Sequence, residues 1–275
     1  MGKPKLTHAA RPATFEVEAY NERGEMVPTS IAGEHPLTLY LDKREIVTLM
    51  TLGHAPEALA IGYLRNQRLA DSIDDIAAVQ VDWETDSVAV TTHSKKPLPA
   101  LDKKTVTTGC GQGTVFGDLM EEIDSIRLRD DVRLTDADLF VLLEKVRKHE
   151  TIYKQAGAVH GCALATTSGE ILMFVEDVGR HNAVDAIAGF MWLEAIDGAD
   201  KVFYTTGRLT SEMVIKCAQM RIPFLVSRSG LTHMGHAIAR KVGITMLGRA
   251  SGRHYLAFTG KERLVRTTPE PTALA

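Results

Sequence analysis

The sequence lacks the features that would announce several common protein classes. Three cysteines, Cys110, Cys162 and Cys217, are spread over 275 residues. So few, so far apart and odd in number, they make no disulfide framework and predict free thiols in a reducing compartment. No apolar run reaches the ~20 residues that a membrane-spanning helix needs, and the opening Met1-Gly2-Lys3-Pro4-Lys5-Leu6 has no apolar core of the kind a secretory signal carries. A cytoplasmic protein without a membrane partner is expected. An excess of either charge is also missing. With 32 Lys+Arg against 35 Asp+Glu, no field forms that would attract a polyanion, and a nucleic-acid partner is not expected. Neither a P-loop with its Lys nor a Gly-x-Gly-x-x-Gly fingerprint occurs.

The chain does have 44% hydrophobic residues, enough for a packed core, and a length that suits two modest domains or one large one. Residues 1–14 are basic, contain Pro4 and Pro12 and show no periodicity, which predicts a flexible tail. Alternation over Phe15–Tyr20, Leu37–Leu41 and Ile46–Met50, the last two flanking the charged turn at 42–45, predicts half-buried antiparallel strands. Pro56 suits a first helical turn, and Ala58, Ile61, Tyr63 and Leu64 support a helix to about Gln67. Strand signals return at 77–81 and 87–90. Residues 15–133 thus read as a smaller α+β domain.

Within that domain lies Thr107-Thr108-Gly109-Cys110-Gly111-Gln112-Gly113-Thr114, preceded by Lys103 and Lys104. Three glycines in five positions disfavour a regular element and leave the Cys110 thiol sterically open. The lysines favour its thiolate, which is the nucleophilic form. Cys162 and Cys217 sit instead in apolar strand and helix patterns and read as small buried hydrophobes.

Residues 134–275 repeat one unit. Thr135 followed by Asp138 resembles a capping box opening a helix over 137–148. A hairpin is predicted from 159–165 and 171–175. Then Glu176-Asp177-Val178-Gly179-Arg180-His181-Asn182 interrupts the apolar pattern before a helix that starts near Asn182. The mixed charges and the His suggest an anion site at that helix start; a tight turn with an Asn N-cap is the plainer alternative. Strand, loop and helix recur at 201–218 and again at 222–242, and a last strand at 244–247 leads to Arg249-Ala250-Ser251-Gly252-Arg253-His254. Alternating strands and helices predict a largely parallel sheet, and such sheets bind ligands at the carboxyl ends of their strands. Four such loops offer Asp177, Arg180 and His181; Arg208 and Ser211; Arg228 and Ser229; and Arg249, Ser251, Arg253 and His254. Guanidinium forks beside Gly and Ser suit a phosphate-rich ligand.

Gly161-Cys162-Ala163, the run from Glu176 through Asp185, Gly207-Arg208 through Val214, and Thr107-Thr108-Gly109-Cys110-Gly111 together resemble the FdhD family, the formate dehydrogenase accessory sulfurtransferases, over about residues 15–265. The resemblance implies a cytidine-deaminase-like α/β domain joined to a smaller α+β domain, in a cytoplasmic homodimer. It implies that Cys110 accepts sulfur as a persulfide from a cysteine desulfurase. The sulfur then passes to the molybdenum bis-guanine-dinucleotide cofactor destined for the formate dehydrogenase catalytic subunit. Residues 249–254, with Asp177, Arg180, His181, Arg208 and Ser211, would bind that cofactor, and GDP would mimic it; no bound metal is implied. The chain departs from the family at one point. The family loop commonly reads Cys-x-x-Cys, but Gly113 fills the second position, so a two-cysteine relay is excluded while single-cysteine transfer is not. A cofactor-binding chaperone that leaves Cys110 unused is the alternative. A zinc nucleoside deaminase would need His-x-Glu and a later Pro-Cys-x-x-Cys, which His160-Gly161-Cys162 does not supply.

Overall fold

The computed structural model describes residues 3–94, 104–106, 123, 125–149 and 151–267. These fall into two compact units, and neither is continuous in sequence. The first draws on 1–119, 150–162 and 175–196, the second on 120–149, 163–174 and 197–275. The expected boundary near residue 134 is corrected accordingly.

The first unit is built on a six-stranded sheet in the order β1-β6-β7-β4-β5-β8, formed by β1 (Lys5–Leu6), β4 (His35–Leu41), β5 (Arg44–Thr51), β6 (Ile76–Asp82), β7 (Ser87–Thr92) and β8 (Lys104–Val106). The antiparallel pair β4/β5 is the one the alternation predicts; β6/β7 is also antiparallel, while β4/β7, β1/β6 and β5/β8 run parallel. Asp42 and Lys43 both take positive φ, 45° and 72°, the two-residue turn that matches the twist of an antiparallel pair. Leu37, Leu39 and Leu41 point inward with Val47 and Leu49. A separate hairpin joins β2 (Thr14–Tyr20) to β3 (Met26–Ala32).

The N-terminal segment is not a loose tail. Beyond the β1/β6 pairing, the Ala9 N–H donates to Glu57 at 2.8 Å, Trp83 Nε1–H donates to the Ala9 carbonyl at 3.0 Å, and the Arg11 guanidinium lies 4.8 Å over the Trp83 ring. Its basic, aperiodic composition concealed a segment fixed by partners far away in sequence.

Helix α1 (Pro56–Asn66) packs along α4 (Arg180–Leu193) through two glycines. A Cβ at Gly62 would lie 1.6 Å from the Asp185 carbonyl oxygen, and one at Gly189 would lie 1.9 Å from that of Ala58. Hydrogen bonds fasten the crossing: Asn66 Nδ2–H to Asp185 Oδ1 at 2.6 Å and Arg65 to the Ala188 carbonyl at 2.8 Å. This contact places α4 in the first unit and not with the strands that follow it.

The second unit contains α2 (Asp136–His149), α5 (Ser211–Gln219) and α6 (His233–Val242). Its strands include β12 (Lys201–Thr205), β13 (Phe224–Ser227), β14 (Thr245–Ser251) and β15 (His254–Ala257). With β10 (His160–Thr166) and β11 (Ile171–Asp177), which run from one unit into the other, they form a sheet ordered β11-β10-β12-β13-β14-β15. Pairs β12/β13 and β13/β14 are parallel and β14/β15 is antiparallel. Val202, Tyr204, Phe224, Val226 and Leu247 pack with Leu139, Leu142 and Val146 of α2. The predicted cap at Thr135 is present: its hydroxyl accepts the Asp138 N–H at 3.0 Å and donates to the Asp138 carboxylate at 2.6 Å. Among the described residues no helix is long and apolar enough to cross a membrane.

Candidate functional site

In the second unit, three loops at the carboxyl ends of β12, β13 and β14 are zipped together by their backbones. The Leu209 N–H donates to the Gly230 carbonyl at 3.0 Å, the Thr232 N–H to the Leu209 carbonyl at 3.1 Å, and the Arg249 N–H to the Ser229 carbonyl at 2.9 Å. Ser227, fully buried at the end of β13, donates its hydroxyl to the Gly207 carbonyl at 2.6 Å and accepts the Ser229 N–H at 2.9 Å. Thr205, at the end of β12, likewise accepts a loop N–H, that of Gly207 at 3.0 Å. These two hydroxyl residues fix the loops and were not singled out in the sequence. The available signal was a small hydroxyl side chain closing each apolar strand just before its Gly-Arg or Arg-Ser pair.

This shelf carries exposed arginines at matching positions, Arg208, Arg228 and Arg249. Among the described residues the side chains of Arg208 and Arg249, and that of Arg253, make no hydrogen bond or ion pair. Helices α5 and α6 begin at the same loops, with Thr210 and Thr232 at their N-cap positions, where the Thr232 hydroxyl accepts the Gly235 N–H, so their positive dipole ends face the same side of the sheet. Permanently charged guanidinium groups above helix N-termini can hold an anion such as a phosphate.

The segment 249–254 differs from the expected loop. Arg249, Ala250 and Ser251 are the last residues of β14, and His254 begins β15. Only Gly252 and Arg253 form the turn, with Gly252 at φ 59°. A register shift between Gly248 and Ser251 puts Arg249 at φ 52°, an uncommon conformation for a side-chain-bearing residue. Ala250 is buried, whereas Arg249, Ser251, Arg253 and His254 are exposed. Ser211 is half-buried in the first turn of α5.

The central polar run lies in the first unit, and its acidic residues serve the fold. Glu176 is buried and accepts the N–H groups of Ile152 and Tyr153, both at 3.0 Å. It thereby caps the short helix α3 (Ile152–Ala156) from outside the helix's own sequence. Asp177 is corrected from ligand-facing to structural. It is buried and accepts Thr51 Oγ1–H at 2.5 Å, the Leu52 N–H at 3.1 Å, and the Gly179 N–H and Asn182 Nδ2–H at 2.9 Å each. Burial raises its pKa above the ordinary carboxylate value, and the four hydrogen bonds oppose that rise. Asn182 is not the N-cap: Gly179 holds that position, and the Asn182 side chain also donates to the Met50 carbonyl at 2.7 Å. Helix α4 therefore starts at Arg180, which is half-buried, with His181 buried behind it.

Cys162 and Cys217 are buried free thiols, as their apolar surroundings predict. Cys110 lies outside the described residues.

The fold is thus that of a mixed α/β protein with exposed arginines at the ends of its parallel strands. Comparison with known proteins makes this specific. Residues 32–265 match the model of the FdhD/NarQ family, and the chain belongs to that family. It is 32% identical over 250 residues to "Sulfur carrier protein FdhD" of Sulfurisphaera tokodaii, covering 89% of this chain and 95% of the relative. The Listeria innocua protein of the same name is 28% identical over 254 residues, 91% and 95% of the two chains. A crystal structure assigned as a formate dehydrogenase accessory protein, from Desulfotalea psychrophila, superposes with a TM-score of 0.76 at 26% identity, covering 92% of this chain and all of that one.

Proposed function

We propose that this chain carries sulfur as a persulfide on Cys110, accepting it from a cysteine desulfurase and passing it to the molybdenum bis-guanine-dinucleotide cofactor of formate dehydrogenase. Membership of the FdhD/NarQ family carries the reading, because the matched region includes Cys110. The two other cysteines are buried. In the accepting step, the Cys110 thiolate attacks the terminal sulfane sulfur of the donor's persulfide, the sulfur–sulfur bond there breaks, and the donor's thiolate leaves. Gly109 and Gly111 put no side chain beside the attacking sulfur, and Lys103 and Lys104 favour its charged form.

The shelf of the second unit is the proposed seat of the cofactor's guanine-nucleotide phosphates. Arg208, Arg249 and Arg253 supply charge, Ser211, Ser251 and His254 hydrogen bonds, and the Ala250–Gly252 backbone close approach. Arg180 and His181 remain separate candidates on the first unit. A cytidine-deaminase-like topology, a homodimer and a cytoplasmic location belong to the same reading.

One observation favours a second reading, in which the chain binds the cofactor as a chaperone and transfers no sulfur: Gly113 stands where the family commonly has its second cysteine. Incubation with a desulfurase and cysteine, followed by mass spectrometry, separates the two. Sulfur transfer predicts one added sulfur on the Cys110 peptide, and it predicts that Cys110→Ala fails to activate formate dehydrogenase in a strain lacking its own accessory protein. Full activation by Cys110→Ala would leave the chaperone reading standing.

A further inference from the structure

Sulfur transfer leaves one cavity of the first unit without a role. A groove of about 510 Å³ lies between the N-terminal segment, the start of α1 and the end of α4, within the roughly 300–1,000 Å³ typical of small-molecule sites. Leu6, Phe190 and Leu193 supply apolar wall, and Glu57 lines the same space.

Glu57 is 8% exposed. One of its carboxylate oxygens accepts the Ala9 N–H at 2.8 Å. Among the described residues the other oxygen has no hydrogen-bond partner, and it is not sealed from the groove. Its place in the first turn of α1 offsets part of the charge through the helix dipole, and the Ala9 bond accounts for one oxygen. Neither accounts for the second, and a mostly buried carboxylate left half-satisfied is costly.

The other charges around the groove do not compensate it. Lys3 and Glu194 neutralise each other at 3.1 Å, and His8 and His54 stand exposed at the rim. Glu57 is therefore the one full charge facing the groove without a counter-charge among the described residues. No group of three or more metal-ligating side chains occurs among the described residues, and a single carboxylate beside an apolar wall suits an organic ammonium group better than a metal ion, which takes several ligands. Phe190 adds an aromatic ring to the wall, which an ammonium group also favours.

We propose that this groove binds a small organic ammonium compound, its charged head on Glu57 and its apolar body against Leu6, Phe190 and Leu193. The test uses the full chain in calorimetric titrations with benzylamine and with benzyl alcohol, which has the same apolar body and no charge. Benzylamine is expected to bind saturably and about tenfold or more tightly than the alcohol, the scale of a hydrogen bond to a charged group. Glu57→Gln keeps an acceptor for the Ala9 N–H and removes the charge, so the two probes should then bind alike. Ala10→Trp, at an exposed rim position, should exclude both probes without lowering the melting temperature, and it stands as the test if Glu57→Gln folds poorly. Equal binding of the two probes to the unaltered protein, no binding of benzylamine, or amine binding that survives both substitutions would overturn the proposal.

Discussion

A carboxylate buried as deeply as that of Asp177 must be held by donors, and four converge on it from Thr51, Leu52, Gly179 and Asn182. Asp177→Asn would turn an amide N–H towards some of those donors and should destabilise the protein by about 1–3 kcal/mol, the cost of leaving buried groups unpaired. Because burial raises the folded-state pKa, the folded protein keeps this proton over a window in which the unfolded chain has released it. Stability from this group therefore falls as pH rises through that window, which opens near the ordinary carboxylate value of about 3.9. The stability gap between the parent and Asp177→Asn should accordingly narrow as pH rises, as urea unfolding at a series of pH values would report; a gap that widens would contradict the assignment. The sequence made Asp177 look like a site residue because Arg180 and His181 follow it. That Thr51 and Leu52 are its partners could not be read there, since nothing local marks a contact across so much chain. The exposure of Arg208 follows from its place after an apolar strand, whereas Arg249 lies inside β14, beyond what the apolar pattern marked as strand.

Among the elements, the α1/α4 crossing is the most sensitive to a single methyl group. Gly62→Ala would place a carbon against the Asp185 carbonyl oxygen. The helices could separate only by giving up the Asn66–Asp185 and Arg65–Ala188 hydrogen bonds. A loss of about 3 kcal/mol or more is expected, at or beyond the upper end of overpacking effects. Gly230→Ala, where an added carbon meets nothing within 4 Å, should change stability by no more than about 0.5 kcal/mol. Thermal unfolding of the two variants side by side checks the contrast, and similar melting temperatures would show that the crossing is not held by close approach. Long periodic elements such as α2, α5 and the strands β4 and β5 were legible in the sequence. β1, β3 and α3 were not: two and five residues carry no period in β1 and α3, and β3 contains Pro28 and three polar or small residues. They persist because distant groups hold them, as Glu176 holds α3.

On the scale of the molecule, a ligand that binds the folded shelf alone must raise the melting temperature by mass action. GDP at millimolar concentration is expected to do so, and Arg208→Ala or Arg253→Ala should each weaken the effect by about 1.5–3 kcal/mol, the range for hydrogen bonds to charged groups. No shift with GDP would count against a nucleotide-type site. The change from antiparallel strand signals to alternating strands and helices suggested two parts, but which residues belong to which compact unit was not legible. The sequence pattern of α4 is that of a helix following a strand, and only the glycines at 62 and 189, unremarkable in a list of 22, decide that it turns back to α1.

That return has a consequence for how the protein is made. Domains generally fold in the order the ribosome delivers them, but here the partner of α1 is not synthesised until residues 180–193 have been added. Until then the glycine groove of α1 is bare, and the strands that complete the second unit are already next in line. The first unit to begin is therefore not free to finish first. The nascent chain must carry that helix surface uncovered from the completion of α1 at residue 66 until residue 193 has been added.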